Sequence, residues 1–318
     1  MVVRKQGENG FVAGTVGALI MAMDIKAFFE TQPPALDFIW NGFVAGTVGA
    51  LVAPGATGKS YFALQAAMAV AGGDGADILG IGNGMTGKVV YLSAEDPEPV
   101  IHQRVHAIGK HLDQNAREAV AERLCIEPCS GRKMNVMDAR QAKFLVEYCA
   151  DTRLVIVDTL SRVHTLDENS NGEMAGLVGQ LEFIARETQA AILYLHHVSK
   201  GAALGGGGGE QQAARGASSL IDNARWCGYV ARMTAEEATK LSERMDGKPI
   251  QDDERGAFVR YGASKINYSA YEGDKWFRRD TQTGVLKPVM LKAATKQQKE
   301  GNDGYGKEKG KGGRRGRA

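Results

Sequence analysis

The octapeptide "APGATGKS", residues 53–60, constrains this chain more than any other stretch. An apolar run at 47–52 leads into it, and a helix-forming run, "SYFALQAAMAVA", follows. Strand, glycine-rich turn and helix in that order make a phosphate-binding loop. Gly55 and Gly58 let the backbone curl so that its N–H groups point inward. Lys59 is placed to reach the β- and γ-phosphates and Ser60 to hold Mg²⁺. The N-terminus of the next helix adds its partial positive charge toward the same anion. The nucleotide cradle is thus Ala53, Pro54, Gly55, Ala56, Thr57, Gly58, Lys59 and Ser60. Ala53 departs from the usual pattern, since it stands at the first glycine position, where the residue closes the strand.

Such a loop needs a carboxylate on the metal side. "RLVIVDT", residues 153–159, supplies Asp158 at the end of four apolar residues, as a central parallel strand would. The residue after it is Thr159, not an acid, so a base for the attacking water must come from elsewhere. "KVVYLSAEDP", residues 88–97, ends a further apolar strand in Glu95 and Asp96. Glu95 fits a base at the strand mouth, with charge compensation at a helix N-terminus as its plainer role. Asp96, directly before Pro97, is expected to cap that helix. "AAILYLHHVSKG", residues 190–201, ends a third strand in His196 and His197. Packing is the plain role for such a pair, and reporting the γ-phosphate is the sharper one. A run of five glycines at 205–209 follows, either a passive linker or a switch segment. Lys200 is the nearest positive charge to that run. Arg215 stands between the glycines and the next helix, with surface salt bridging as its bland role.

Apolar strands alternate with helices expected at 60–71, 97–111, 114–123, 138–150 and 173–188. The last of these puts Met174, Leu177, Val178, Leu181, Ile184 and Ala185 on one face. The expected fold is therefore α/β, a mostly parallel central sheet with helices on both faces. After residue 225 shorter strands with turns are expected to extend the same sheet antiparallel, on its C-terminal side.

The 11 residues of "NGFVAGTVGAL" occur twice, at 9–19 and 41–51, and only the second copy runs into the phosphate loop. Residues 1–22 are read as a duplicated or misassigned leader. Arg4 and Lys5 before an apolar run imitate a secretory signal, but the run is too short to span a bilayer. Residues 23–292 are read as one domain and 293–318 as a disordered tail. Residues 296–318 carry eight Lys/Arg against three acids, a composition that cannot bury a core. Such a tail is either a solubilising end or a weak, non-specific capture site for nucleic acid. The four cysteines are scattered, and Cys125 and Cys129 have no histidine at ligand spacing, so reduced thiols in a cytoplasmic protein are expected.

Across residues 23–290 the segments "PPALDF", "FVAGTVGALVAPGATGKS", "VVYLSAEDP", "LVIVDTLSRVH", "LHHVSKGAA", "QQAARGASSLIDNARW" and "SKINY…WFRR…GVLKP" carry a family likeness. The chain resembles the RecA-like hexameric replicative DNA helicases, most closely the RepA-type helicases of broad-host-range mobilisable plasmids. The resemblance implies a RecA-like P-loop core and an ATP-driven 5′→3′ helicase that works as a homo-hexameric ring on single-stranded DNA, without a membrane. It implies ATP and Mg²⁺ at Lys59 and Ser60, Glu95 as base, Asp158 as the metal-side acid and His197 as γ-phosphate sensor. By the same likeness Arg215 is the arginine that enters a neighbouring subunit's site. Lys265 of "ASKINY" is a second candidate to reach across that interface. A RecA-like regulatory or recombination-mediator ATPase that does not unwind would need the same loop, and is the competing reading.

Overall fold

The computed structural model describes residues 22–82, 85–198 and 218–295. The leader's residues 1–21, the glycine run, Lys200, Arg215 and the basic tail lie outside the described residues. Among the described residues the first elements are a short helix α1 (Ile25–Glu30), capped by the Asp24 side chain, and a small hairpin of β1 (Phe38–Trp40) and β2 (Phe43–Val44). Then come β3 (Val48–Ala53), α2 (Lys59–Gly72), β4 (Lys88–Ser93), α3 (Glu98–Gly109), α4 (Gln114–Arg123) and β5 (Leu124–Pro128). The next elements are α5 (Ala139–Tyr148), β6 (Thr152–Asp158), α6 (Asn171–Thr188), β7 (Ala191–His197), α7 (Ser218–Asn223) and β8 (Trp226–Arg232). The chain continues with α8 (Ala235–Lys240), β9 (Leu241–Ser242), β10 (Phe258–Ile266), β11 (Lys275–Arg279), β12 (Leu286–Val289) and β13 (Lys292–Ala293).

A nine-stranded sheet runs β12-β11-β10-β8-β3-β7-β6-β4-β5. From β5 to β8 every neighbouring pair is parallel, and from β8 outward through β10, β11 and β12 every pair is antiparallel. The sequence leads one to expect the late strands antiparallel as a set, and β8 corrects this: it lies parallel beside β3, pairing Gly49 with Trp226. The long connection that includes α7 carries the chain back to the starting end of the sheet, as a parallel crossover must. The loops after β10 and β11 then reverse the chain direction.

Alternation along the central strands divides the core in two. Leu51 and Ala53 of β3, Leu154 and Ile156 of β6, and Leu193 and Leu195 of β7 face α2, α3, α4 and the β1–β2 hairpin. Val48, Ala50 and Val52, Val155 and Val157, and Ile192 and Tyr194 face α5, α6 and α7. Both faces of the parallel strands are covered, so they read as continuous apolar runs. All six apolar residues expected on the inner face of α6 are buried there. Helix α2 is buried on nearly every side because small alanines let it lie close between the sheet, α3 and α4. Phe62 on α2 stacks on Tyr261 at 4.4 Å between ring centroids, and meets Phe277 edge-on at 6.0 Å. Gln65, also on α2 and 1% exposed, donates its amide to the Leu286 carbonyl at 2.8 Å and accepts from the Leu286 N–H at 2.9 Å. The phosphate-loop helix is thereby tied to the antiparallel strands.

The hairpin is not expected from the sequence. Gly42 (φ 78°) makes its turn, in space already limited by Ile266, and Trp40, Phe43 and Trp226 close over it with centroids 5.2 to 5.6 Å apart. Asp37, just before the hairpin, accepts two bonds from Arg153 of β6 at 2.6 and 2.8 Å. The second copy of the repeated segment is therefore a turn, β2 and the start of β3, the strand expected at 47–52.

Candidate functional site

Strands β3, β4, β6 and β7 end on one rim of the sheet, and the sequence-expected polar residues gather there because each lies at or just past a strand end. Backbone bonds staple the rim together: Ala94 N–H donates to the Asp158 carbonyl at 2.6 Å, Cys129 N–H to Ser93 at 2.7 Å, and Val198 N–H to Ala53 at 3.1 Å. The Thr159 hydroxyl donates to the Leu195 carbonyl at 2.5 Å, and the peptide between Asp158 and Thr159 is cis.

The loop from Pro54 to Gly58 curls over this rim. Thr57, 1% exposed, donates its hydroxyl to the Pro54 carbonyl at 2.6 Å and closes the curl. Ala56 (φ 59°) and Gly58 (φ 105°) take left-handed conformations. Gly58 is the residue before α2 and offers no side chain to the helix's first N–H groups, so those donors face the loop. A Cβ built on Gly55 or Gly58 meets nothing within 4 Å, so the concavity is open. Arg232, at the end of β8, donates from its guanidinium to the Ala56 carbonyl and braces the loop from outside.

Lys59 points inward, 4% exposed, with its Nζ 3.4 Å from Oδ1 of Asp158, which is 2% exposed. The other carboxylate oxygen, Oδ2, accepts from the Tyr91 hydroxyl at 2.6 Å. Burial, and after it the Asp158 charge, holds the Tyr91 hydroxyl well above its usual range, so it remains a donor. Glu95 and His197 are brought together, Oε1 to Nε2 at 3.6 Å, with 32% and 43% of their side chains exposed. His196 turns the other way and is 8% exposed; burial first, then the charges of His197, Lys59 and His164, push it down to about 4. It is a neutral packing residue at neutral pH, while its neighbour faces the cleft.

Hard oxygen donors suit Mg²⁺, and the Ser60 hydroxyl at the first turn of α2 and the Asp158 carboxylate are of that kind. With the open loop and uncapped helix start, these residues fit a magnesium-bound nucleoside triphosphate. Asp96 departs from expectation. Helix α3 begins one residue later than a cap there requires, with Pro97 in the capping position, and the Asp96 carboxylate instead accepts from Arg104 in the second turn of α3. Lys265 donates to the Asp222 carbonyl at 2.6 Å and to Ile221 at 3.5 Å, so it caps the end of α7 within its own chain. Sequence reasoning misses Tyr91 and Arg232. A signal for Tyr91 exists: it is the aromatic residue with a polar tip inside an otherwise aliphatic buried strand, and its hydroxyl requires a partner. Arg232 carries none, because its contact is with a backbone carbonyl.

No helix among the described residues is long and apolar enough to cross a membrane. The four cysteines are free thiols; Cys129, Cys149 and Cys227 are buried and Cys125 half-buried. The fold is similar to a solved structure described as an ATPase domain, with a TM-score of 0.56 at 14% identity, over 83% of this chain and 95% of that one. It is similar also to a DnaB-like replicative helicase solved for its interactions with primase, with a TM-score of 0.57 at 13% identity. That likeness covers 83% of this chain and 66% of the other, so the chain spans just under two thirds of that relative. These likenesses and the sheet order make the fold a RecA-like P-loop core. A family model described as an AAA domain matches residues 19–203, which takes in the phosphate loop, Glu95, Asp158 and His197. More than half of the chain lies within that match, and the chain accordingly belongs to this AAA-domain family.

Proposed function

We propose that this chain is an ATPase that drives a ring-shaped DNA helicase, of the RepA type that serves plasmid replication. The observation that carries the reading is the meeting of two pairs on one rim: Lys59 with Asp158 beneath the loop, and Glu95 with His197 at the cleft. Lys59 and the loop N–H groups hold the triphosphate, and Ser60 and Asp158 provide the oxygen donors for magnesium. When bound, magnesium supplies neutralisation of charge on the phosphates. Glu95 is exposed enough to meet water and takes the proton from the attacking molecule. His197, within reach of Glu95, couples the state of that carboxylate to the segment that follows β7.

That segment contains Lys200, the proposed DNA contact, and Arg215, the proposed arginine for a neighbouring subunit's site. Six subunits in a closed head-to-tail ring, 5′→3′ movement and a cytoplasmic location belong to the same proposal. So do the domain limits, with 1–22 as leader, 23–292 as the ATPase unit and 293–318 as a basic tail. The likeness to the ATPase domain and to the DnaB-like replicative helicase, together with the quoted RepA-like segments, supports it.

The test is strand displacement on a forked duplex with ATP, paired with native mass measurement. Unwinding by a ring-sized species is the expected result. ATP hydrolysis without displacement would select the regulatory or recombination-mediator reading. No ATP hydrolysis at all would overturn the proposal.

A further inference from the structure

The two oxygens of Asp158 are held differently. Oδ1 lies 3.4 Å from Lys59, longer than a charge-assisted hydrogen bond usually is, whereas Oδ2 lies 2.6 Å from the Tyr91 hydroxyl. Tyr91 is 4% exposed and sits on β4, where it pairs in register with Ile156, two residues before Asp158. Its ring belongs to the same buried apolar cluster as its register partner Ile156, and its hydroxyl reaches the Asp158 carboxylate. A phenylalanine would fill that space equally well, so packing does not require the hydroxyl and the carboxylate does.

The torsion that turns a carboxylate is broad and soft. Lys59 is a poor fixture for Asp158, because a triphosphate in the loop competes for the same ammonium. We infer that Tyr91 is a positioning residue: it pins one oxygen of Asp158 so that the other stays presented toward the loop, where the magnesium of a bound nucleotide meets it. The inference rests on the reading of this loop as a magnesium-nucleotide site. Partners that orient a metal-side ligand in this way are worth about 10–100-fold in metal affinity when removed.

The test uses the full chain and a fluorescent ADP analogue, titrated once in EDTA and once in excess Mg²⁺. The quantity read is the factor by which Mg²⁺ tightens binding. In Tyr91→Phe this factor is expected to fall about tenfold, while binding in EDTA changes far less. Incorporating 3-fluorotyrosine at position 91, which keeps the hydroxyl, is expected to restore the wild-type factor. In an Asp158→Asn background the factor is already lost, and adding Tyr91→Phe is expected to change nothing. A folded Tyr91→Phe protein with the wild-type factor would overturn the inference, as would a further loss in the Asp158→Asn background. A wild-type chain that binds the analogue equally with and without Mg²⁺ would overturn the reading of the site itself, and this inference with it.

Discussion

Asp158→Asn is expected to tighten the binding of metal-free ATP while it stops hydrolysis. In the nucleotide-free protein Lys59 and Asp158 neutralise each other at 3.4 Å, both almost fully buried. At an effective dielectric constant near 20, unit charges at that separation attract by about 5 kcal/mol. A triphosphate must draw the ammonium off this partner before it can use it. Asparagine still offers Lys59 a carbonyl oxygen, but a neutral acceptor is roughly half as strong as a charged one. Part of the remaining difference goes to the poorer solvation of a lysine without its counter-charge in the free variant, which the phosphates then relieve. A net gain of about 1.4 kcal/mol, or about tenfold in affinity, is the expected size. Calorimetric titration with ATP in EDTA measures it directly. The same change should lower the melting temperature of the nucleotide-free protein, because it leaves a buried ammonium short of its partner. An affinity for metal-free ATP equal to or below that of the wild type would refute this account of the pair as a latch.

Three other outcomes are expected. Glu95→Gln keeps nucleotide binding and loses at least about a hundredfold in turnover, the lower end for a general base; mixing it with Arg215→Ala protein restores some ATPase activity if Arg215 acts across subunits, and mixed rings without any recovery would exclude that role. His196, at about 4 in the folded protein against 6.5 unfolded, binds its proton more readily in the unfolded chain. Its contribution is therefore complete above pH 6.5 and is lost as pH falls toward 4, about 3 kcal/mol in all, and denaturant melts of His196→Gln should show a correspondingly shallower loss over that window. Gln65→Leu leaves both backbone groups of Leu286 without their partner in a buried place and should cost about 2–3 kcal/mol, read as a lower denaturant midpoint.

The parts of this molecule that a sequence reveals are those where local pattern and local chemistry coincide. The loop at 53–60 and the ends of β4, β6 and β7 are legible because a parallel sheet must place polar residues at the ends of apolar strands. Helix α6 is legible from its spacing. The hairpin before β3 is not, because five strand residues in two short pieces show no period, and the aromatic contact with Trp226 that stabilises it spans most of the chain. Strand β5 is hidden for a related reason: it follows α4 directly, with only the φ/ψ change at Leu124 between them. The parallel placement of β8 depends on a crossover whose direction no short-range signal encodes. Within the described site, the polar residues at the strand ends can be read directly, and those that hold them cannot. Asp158 stands out at the end of its run, whereas its bond to Tyr91 crosses 67 positions of sequence.

The side-chain amide of Gln65 meets Leu286 as one strand residue meets another, donor to acceptor and acceptor to donor, so a helix supplies the hydrogen-bond pattern of a sheet. A turn of α2 about its own axis would break both bonds together. The helix that begins at the phosphate loop is thereby tied to the edge strand β12. A displacement of α2 at the loop is therefore expected to carry β12 with it.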